Sequence, residues 1–215
     1  MNSEISSNVP DPKTFIEKKK EQEQYFFTDK VLEQITTSFQ YFENIVCICA
    51  PTVADAFWRL LKKDIYCIDI DDRFNFLPKF IHCNIEKDEI KFPNDFKPDL
   101  IIIDPPFFGL NLKDLLNFVN KVSKNDNKIK LAIGYLIREE KNLLTTFKDY
   151  NLQMTKFNME YRTVDQTKWK NYGMYTNFES GKFKFISKNK KKLINNINNI
   201  NITIYNINFK KIKKI

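Results

Sequence analysis

Four consecutive branched aliphatic residues, Leu100-Ile101-Ile102-Ile103, run straight into Asp104-Pro105-Pro106-Phe107. An apolar run this short, bounded by turn formers, predicts a strand buried on both faces. The prolines end it, since neither offers an N–H to a ladder and both fix φ. Asp104 is therefore expected at the carboxyl end of a buried strand, the place where open α/β sheets bind ligands. The diproline turn is stiff and leaves its carbonyls free. A rigid carboxylate, a proline carbonyl and the face of Phe107 together suit one task. They can hold an amino group by hydrogen bonds and stacking while its nitrogen attacks. The competing reading is a turn that merely closes a strand; its place in the middle of an αβ series favours the functional one.

That series predicts the architecture. Candidate strands lie at Ile45–Cys49, Ile65–Asp69, Phe80–Cys83, Leu100–Asp104 and Ile129–Ile133. Segments with helical spacing precede or separate them: 29–43, with Val31, Leu32, Ile35, Phe39 and Phe42 in register, then 53–63 and 112–122. Alternation of this kind implies a mostly parallel sheet with right-handed crossovers. Two later extended segments, 152–160 and 172–186, read as a closing hairpin. The expected fold is an α/β, Rossmann-like, doubly wound seven-stranded sheet with one antiparallel strand.

The 215 residues suffice for one domain with a full core. We expect a flexible segment over 1–21, a folded domain over 22–187 and a low-complexity tail over 188–215. Asn, Ile and Lys supply 23 of the last 27 positions, and the tail is assigned no catalytic role. From residue 182 onward there are ten lysines and no acid, so the net charge of +8 becomes −2 for residues 1–181. The basic character belongs to the tail, and the body offers little sign of a broad phosphate-binding face. No run of about 18 apolar residues predicts a membrane span, and the N-terminus lacks a signal-peptide core. A cytoplasmic, monomeric protein is expected.

The other chemistry-bearing positions cluster at predicted strand ends. Asp69 closes the second strand, where an acid can accept hydrogen bonds from ribose hydroxyls; the alternative is an acidic turn, Asp69 to Asp72, pairing with Arg73. Cys49-Ala50-Pro51-Thr52 follows the first strand. With four glycines in the chain a glycine-rich phosphate cradle is ruled out, which points away from dinucleotides and nucleoside triphosphates and toward a cofactor without phosphates. Small Ala50 and stiff Pro51 let such a ligand approach. Asn84 can pair with an adenine edge or serve as an ordinary loop residue. Gln24-Tyr25-Phe26-Phe27 can form an aromatic lid or a staple packing onto the domain. Cys47, Cys49, Cys67 and Cys83 form no CxxC pair and read as small buried hydrophobes; no metal is expected.

Taken together, these residues resemble the probable N6-adenine methyltransferases, a family within the class I enzymes that use S-adenosylmethionine. The similarity spans about 22–184. One branch methylates a lysine of translation elongation factor 1-alpha. Its motifs are similar to Gln24-Tyr25-Phe26-Phe27-Thr28, Ala50-Pro51-Thr52-Val53, Asp69-Ile70-Asp71-Asp72-Arg73-Phe74, Asp104-Pro105-Pro106-Phe107 and Asn177-Phe178-Glu179-Ser180-Gly181. The other branch methylates N6 of adenine in ribosomal RNA and carries zinc modules. This chain resembles it at Asp69-Ile70-Asp71, at Phe107-Phe108-Gly109-Leu110 and at Gln153-Met154, Phe157 and Glu160-Tyr161. At 170–175 the chain reads Lys-Asn-Tyr-Gly-Met-Tyr, without the acid and arginine typical of the lysine branch.

The resemblance implies an enzyme with S-adenosylmethionine as cofactor. It implies Asp104, Pro105, Pro106 and Phe107 as catalytic residues, and Gln24, Tyr25, Phe26, Cys49, Ala50, Pro51, Asp69 and Asn84 at the cofactor. The implied substrate is elongation factor 1-alpha, with an adenine of RNA or DNA as the alternative. A silent scaffold that keeps only the fold is the third reading.

Overall fold

The computed structural model describes residues 25–107, 110–162 and 164–187. The expectations for residues 1–24, which include Gln24, for Phe108-Gly109 and for the tail from 188 lie outside the described residues. The chain divides into a unit of residues 1–184 and a second of 185–215, and only 185–187 of the second are described.

The first unit runs α1 (Asp29–Phe39), β1 (Ile45–Ile48), α2 (Pro51–Leu61), β2 (Tyr66–Asp69), β3 (Phe80–His82), β4 (Leu100–Ile103), α3 (Leu112–Val122), β5 (Lys130–Leu136), α4 (Glu140–Thr146), β6 (Gln153–Met154) and β7 (Tyr172–Thr176). The strands form one sheet in the order β3-β2-β1-β4-β5-β7-β6. β1 pairs in parallel with β2 and β4, β2 with β3, and β4 with β5. β7 lies antiparallel to both neighbours, so it is the one reversed strand of the sheet. This is the predicted seven-stranded mixed α/β sheet.

Burial follows from that topology. β1 and β4 are buried at every position, as parallel strands covered on both faces must be. Helix α1 starts on Thr28, whose Oγ1 accepts the Val31 N–H at 3.4 Å; Asp29, expected to support the start, sits in the first turn. Its apolar stripe of Val31, Ile35 and Phe39 is fully covered. Phe39 stacks on Phe183 with centroids 4.5 Å apart, and each aromatic buried this way contributes about 2–3 kcal/mol.

The closing motif 177–181 does structural work. Asn177 Nδ2 donates to Ile129 O at 2.7 Å and its Oδ1 accepts from Leu131 N–H at 2.9 Å, joining the end of β7 to β5. Ser180 Oγ donates to Ser38 O at 2.6 Å. Gly181 has φ +48°, and a Cβ there would lie 2.3 Å from Ser38 Oγ, so the turn onto α1 demands glycine.

Several boundaries differ from the sequence expectation. Cys49 and Cys83 fall one residue beyond their strands, while Cys47 and Cys67 lie within them. α2 begins at Pro51, two residues early, because proline suits the first helical turn. β5 extends to Leu136, since its antiparallel pairing with β7 continues past the parallel pairing with β4. The expected strand 152–160 shrinks to Gln153–Met154 and 172–186 to Tyr172–Thr176. The seven-residue α4 buries only Leu143, too little apolar repeat for a periodicity signal.

Candidate active site

The chain winds outward from β1 to β3, then returns to place β4 on the other side of β1. That reversal opens a crevice at the carboxyl ends of the strands. A cavity lies there, and the four turns that follow β1, β2, β3 and β4 line it. Eleven of the twelve residues singled out from sequence (Tyr25, Phe26, Cys49, Ala50, Pro51, Asp69, Asn84, Asp104, Pro105, Pro106 and Phe107) meet in this one space. Gln24 is outside the described residues.

The β1 turn is made by strain. Cys49 has φ 52°, a left-handed conformation costing a non-glycine residue about 1–2 kcal/mol. Its N–H donates to Ile68 O at 2.9 Å, which helps hold it. The chain then turns into α2, whose N-terminus has no side-chain cap and lies at the cavity. Pro51 has no N–H, and the Val53 and Ala54 N–H groups both donate to Ala50 O, at 3.1 and 3.2 Å, so the Thr52 N–H and the helix dipole are what this start offers a carboxylate.

At the end of β2, Asp69 is 4% exposed and accepts the Asp71 N–H on Oδ1 at 2.9 Å. Burial pushes its pKa up to about 6, partly opposed by that backbone donor. The acidic turn divides its duties. Asp71 binds Arg73 through Nε at 2.8 Å and Nη2 at 2.5 Å, Asp72 faces His82 Nδ1 at 2.6 Å on the surface, and Asp69 points to the cavity wall. Asn84 lines the cavity, and its Oδ1 accepts the Glu86 N–H at 3.0 Å in a local turn. Its amide N–H groups remain the side available to a ligand edge. Ile70 and Ile85 add apolar wall.

This donor set fits S-adenosylmethionine. It offers a helix start for the carboxylate, an acid for the ribose diol, and an amide with apolar neighbours for adenine. No glycine cradle is needed, because the cofactor carries no phosphate.

Across the cavity Asp104 sits among rings. Tyr161, fully buried, donates its hydroxyl to Asp104 Oδ1 at 2.9 Å. Phe107 lies 6.0 Å from Tyr25, 6.3 Å from Tyr161 and 4.9 Å from Tyr172, centroid to centroid. Tyr161 lies 5.1 Å from Tyr172 and 6.1 Å from Tyr25. Four rings therefore cluster here, and one of them, Tyr161, holds the carboxylate. Loss of hydration raises the Asp104 pKa well above the usual carboxylate range, while the Tyr161 hydroxyl pulls it down. Behind Asp104 lies Gly134 of β5, where a Cβ would come within 2.7 Å of Asp104 Oδ1 and 2.5 Å of Met159 Cε.

Tyr161, Tyr172 and Gly134 carry no site role in the residue-by-residue reading. Gly134 stands one residue past the expected strand, which ended at Ile133; in the structure it lies inside β5, where a glycine marks a close approach. Tyr161 and Tyr172 had no signal in their spacing: Tyr161 stands in the loop between β6 and β7, and Tyr172 reaches the site as the first residue of β7. Among the described residues no group of three or more His, Cys, Asp or Glu side chains could hold a metal. None of the described helices is long and apolar enough to cross a membrane.

A sheet of this order with β7 alone reversed, and a crevice at its switch point, is the arrangement of the class I methyltransferases. The sequence profile of the Probable N6-adenine methyltransferase family matches residues 18–180, and the chain belongs to that family. It is an S-adenosylmethionine-dependent methyltransferase. No curated protein matches it. Solved structures resemble it distantly. The N-methyltransferase NodS from Bradyrhizobium japonicum WM9, in complex with S-adenosyl-L-homocysteine, is 13% identical over 69% of this chain and 84% of its own, with a TM-score of 0.41. The 16S rRNA methylase RmtB is 10% identical over 71% and 75%, with a TM-score of 0.40. The plantazolicin methyltransferase BpumL, also with S-adenosyl-L-homocysteine, is 18% identical over 57% and 56%, with a TM-score of 0.36.

Proposed function

We propose that the protein is a protein-lysine N-methyltransferase acting on translation elongation factor 1-alpha. One observation supports this reading: the rings of Tyr25, Phe107, Tyr161 and Tyr172 form one cluster, and Tyr161 ties that cluster to the carboxylate of Asp104. Ring faces attract a cationic nitrogen and its methyl groups, and a carboxylate aims it.

The bound cofactor supplies an electrophilic methyl on a sulfonium, so the protein need only deliver a neutral, aligned nitrogen. Lysine arrives as an ammonium of pKa about 10.4. Enclosure by rings disfavours its charge, and the same loss of water raises the pKa of Asp104. Passing the proton from nitrogen to the carboxylate removes both charges from a site where loss of water disfavours each of them. Asp104 and the Pro105 carbonyl then hold the amine while its lone pair forms the N–C bond and the S–C pair returns to sulfur. Alignment of this kind supplies about 7–11 kcal/mol of barrier lowering.

Cofactor contacts follow from the opposite wall. Cys49, Ala50 and Pro51 bring the start of α2 to the cofactor's carboxylate, Asp69 takes the ribose, Asn84 the adenine edge, and Tyr25 and Phe26, with Gln24 before them, cover it. Asp69 titrates near 6, and only its ionised form accepts from both hydroxyls. S-adenosyl-L-homocysteine is expected to bind with constant affinity above that pH and progressively more weakly below it. In Asp69→Asn the affinity is lower and this step is gone. Calorimetry from pH 5 to 8 reads both; an equal step in the variant would remove Asp69 from the cofactor.

The second reading, adenine N6 as acceptor, is favoured by the family's description and by the near-parallel faces of Tyr25 and Phe107, 17° apart, which suit a planar base. Incubating the full chain with tritiated cofactor and either elongation factor 1-alpha or total RNA separates the two. We expect label on lysine. Label confined to RNA would overturn the lysine assignment.

A further inference from the structure

We infer that Tyr161 is a positioning residue of this active site: its hydroxyl holds one oxygen of Asp104 so that the other is presented to the acceptor nitrogen. The inference rests on the role proposed for Asp104 and holds for either acceptor.

A carboxylate at a strand end is not self-orienting, because its last torsion is broad. The Tyr161 hydroxyl, 2.9 Å from Oδ1, removes that freedom. What makes it a reliable anchor is that nothing about Tyr161 can swing. Its ring stacks on Phe27 at 4.8 Å and 18° and meets Tyr172 edge-on at 5.1 Å. Its backbone forms an antiparallel bridge with Phe27. On either side, Thr28 N–H donates to Glu160 O at 2.9 Å and Arg162 N–H to Phe26 O at 2.8 Å. Its carbonyl accepts from Trp169 Nε1 at 3.1 Å. The residue is 0% exposed, so water offers the hydroxyl no easy alternative. The same ribbon carries Tyr25 and Phe26, which line the cavity, so one short segment anchors both walls.

Among the described residues, the titratable groups facing Asp104 are Tyr161, Tyr172 and the Cys49 thiol. Of these, Tyr161 donates a hydrogen bond to the carboxylate and so favours its ionised form.

Tyr161→Phe keeps the ring and removes the anchor. With the full chain and elongation factor 1-alpha as acceptor, kcat is expected to fall by about tenfold or more, with cofactor affinity unchanged within about twofold. The acid limb of the kcat profile should move to higher pH, because the carboxylate loses its stabilising donor. A merely structural role would not move that limb, so a lowered kcat with an unmoved limb overturns the inference, as does wild-type behaviour. Carbon-13 titration of the Asp104 carboxyl reads the same shift without any acceptor: an upward move in the variant supports the inference and an unchanged curve sinks it. A wild-type enzyme that leaves lysine unlabelled defeats the proposed substrate alone; a labelling wild type matched by Tyr161→Phe defeats only the anchor.

Discussion

Asp104→Asn is expected to lose methyl transfer to elongation factor 1-alpha by at least about a thousandfold, the combined loss of proton acceptance and alignment. The substitution is isosteric, so the hydrogen bond to Tyr161 and the packing of Phe107 survive, and cofactor affinity should stay within about threefold of wild type. The logic lies in the charge. An ammonium must surrender a proton before it can attack, and an amide cannot take it. A neutral adenine amine has no such need, and the asparagine oxygen would accept from N6 about as well as a carboxylate does. Single-turnover rates with each acceptor read the difference. An Asp104→Asn enzyme that still methylates protein at more than a few per cent of the wild-type rate would refute the lysine mechanism. Full retention on RNA would install the adenine reading in its place.

Gly134→Ala should damage catalysis far more than stability. The added methyl would sit 2.7 Å from Asp104 Oδ1 and 2.5 Å from Met159 Cε. The methionine end is flexible and can yield; the carboxyl can yield only by leaving the position that Tyr161 holds. Overpacking of this kind costs about 1–3 kcal/mol, which lowers the melting temperature by a few degrees in a chain of this size. A carboxylate displaced by about 1 Å costs on the order of a hundredfold in rate. The variant should fold, bind S-adenosyl-L-homocysteine normally and turn over about a hundred times more slowly. Undiminished turnover in a folded variant would show that the position of Asp104 is not critical.

The two substitutions probe the same point from opposite sides, and they mark where reading from the sequence stopped. Asp104, Asp69 and the turn at Cys49 were legible because each stands directly after a short apolar strand, and in a parallel sheet every such end opens on the same side. Strand counting alone therefore gathers them into one crevice. Tyr161 stands in a loop with no period, and its partner Asp104 is 57 residues away. The run from 152 to 160 looks like a strand, yet its register with β7 holds only Gln153 and Met154, with one further bond from Thr155 N–H to Met174 O; the loop that follows delivers Tyr161 to the cavity. Tyr172 and Gly134 become neighbours of Asp104 only through the antiparallel joining of β7 to β5.

The order of apolar runs and turns in this chain was enough to dictate a doubly wound sheet and to put its acids at one edge, because burial and the two-residue period of a strand are local rules. The surroundings of those acids were settled by tertiary structure alone. Which rings gather beside Asp104, which hydroxyl steadies it and how little room lies behind it depend on contacts between segments far apart in the chain, and only packing decides those.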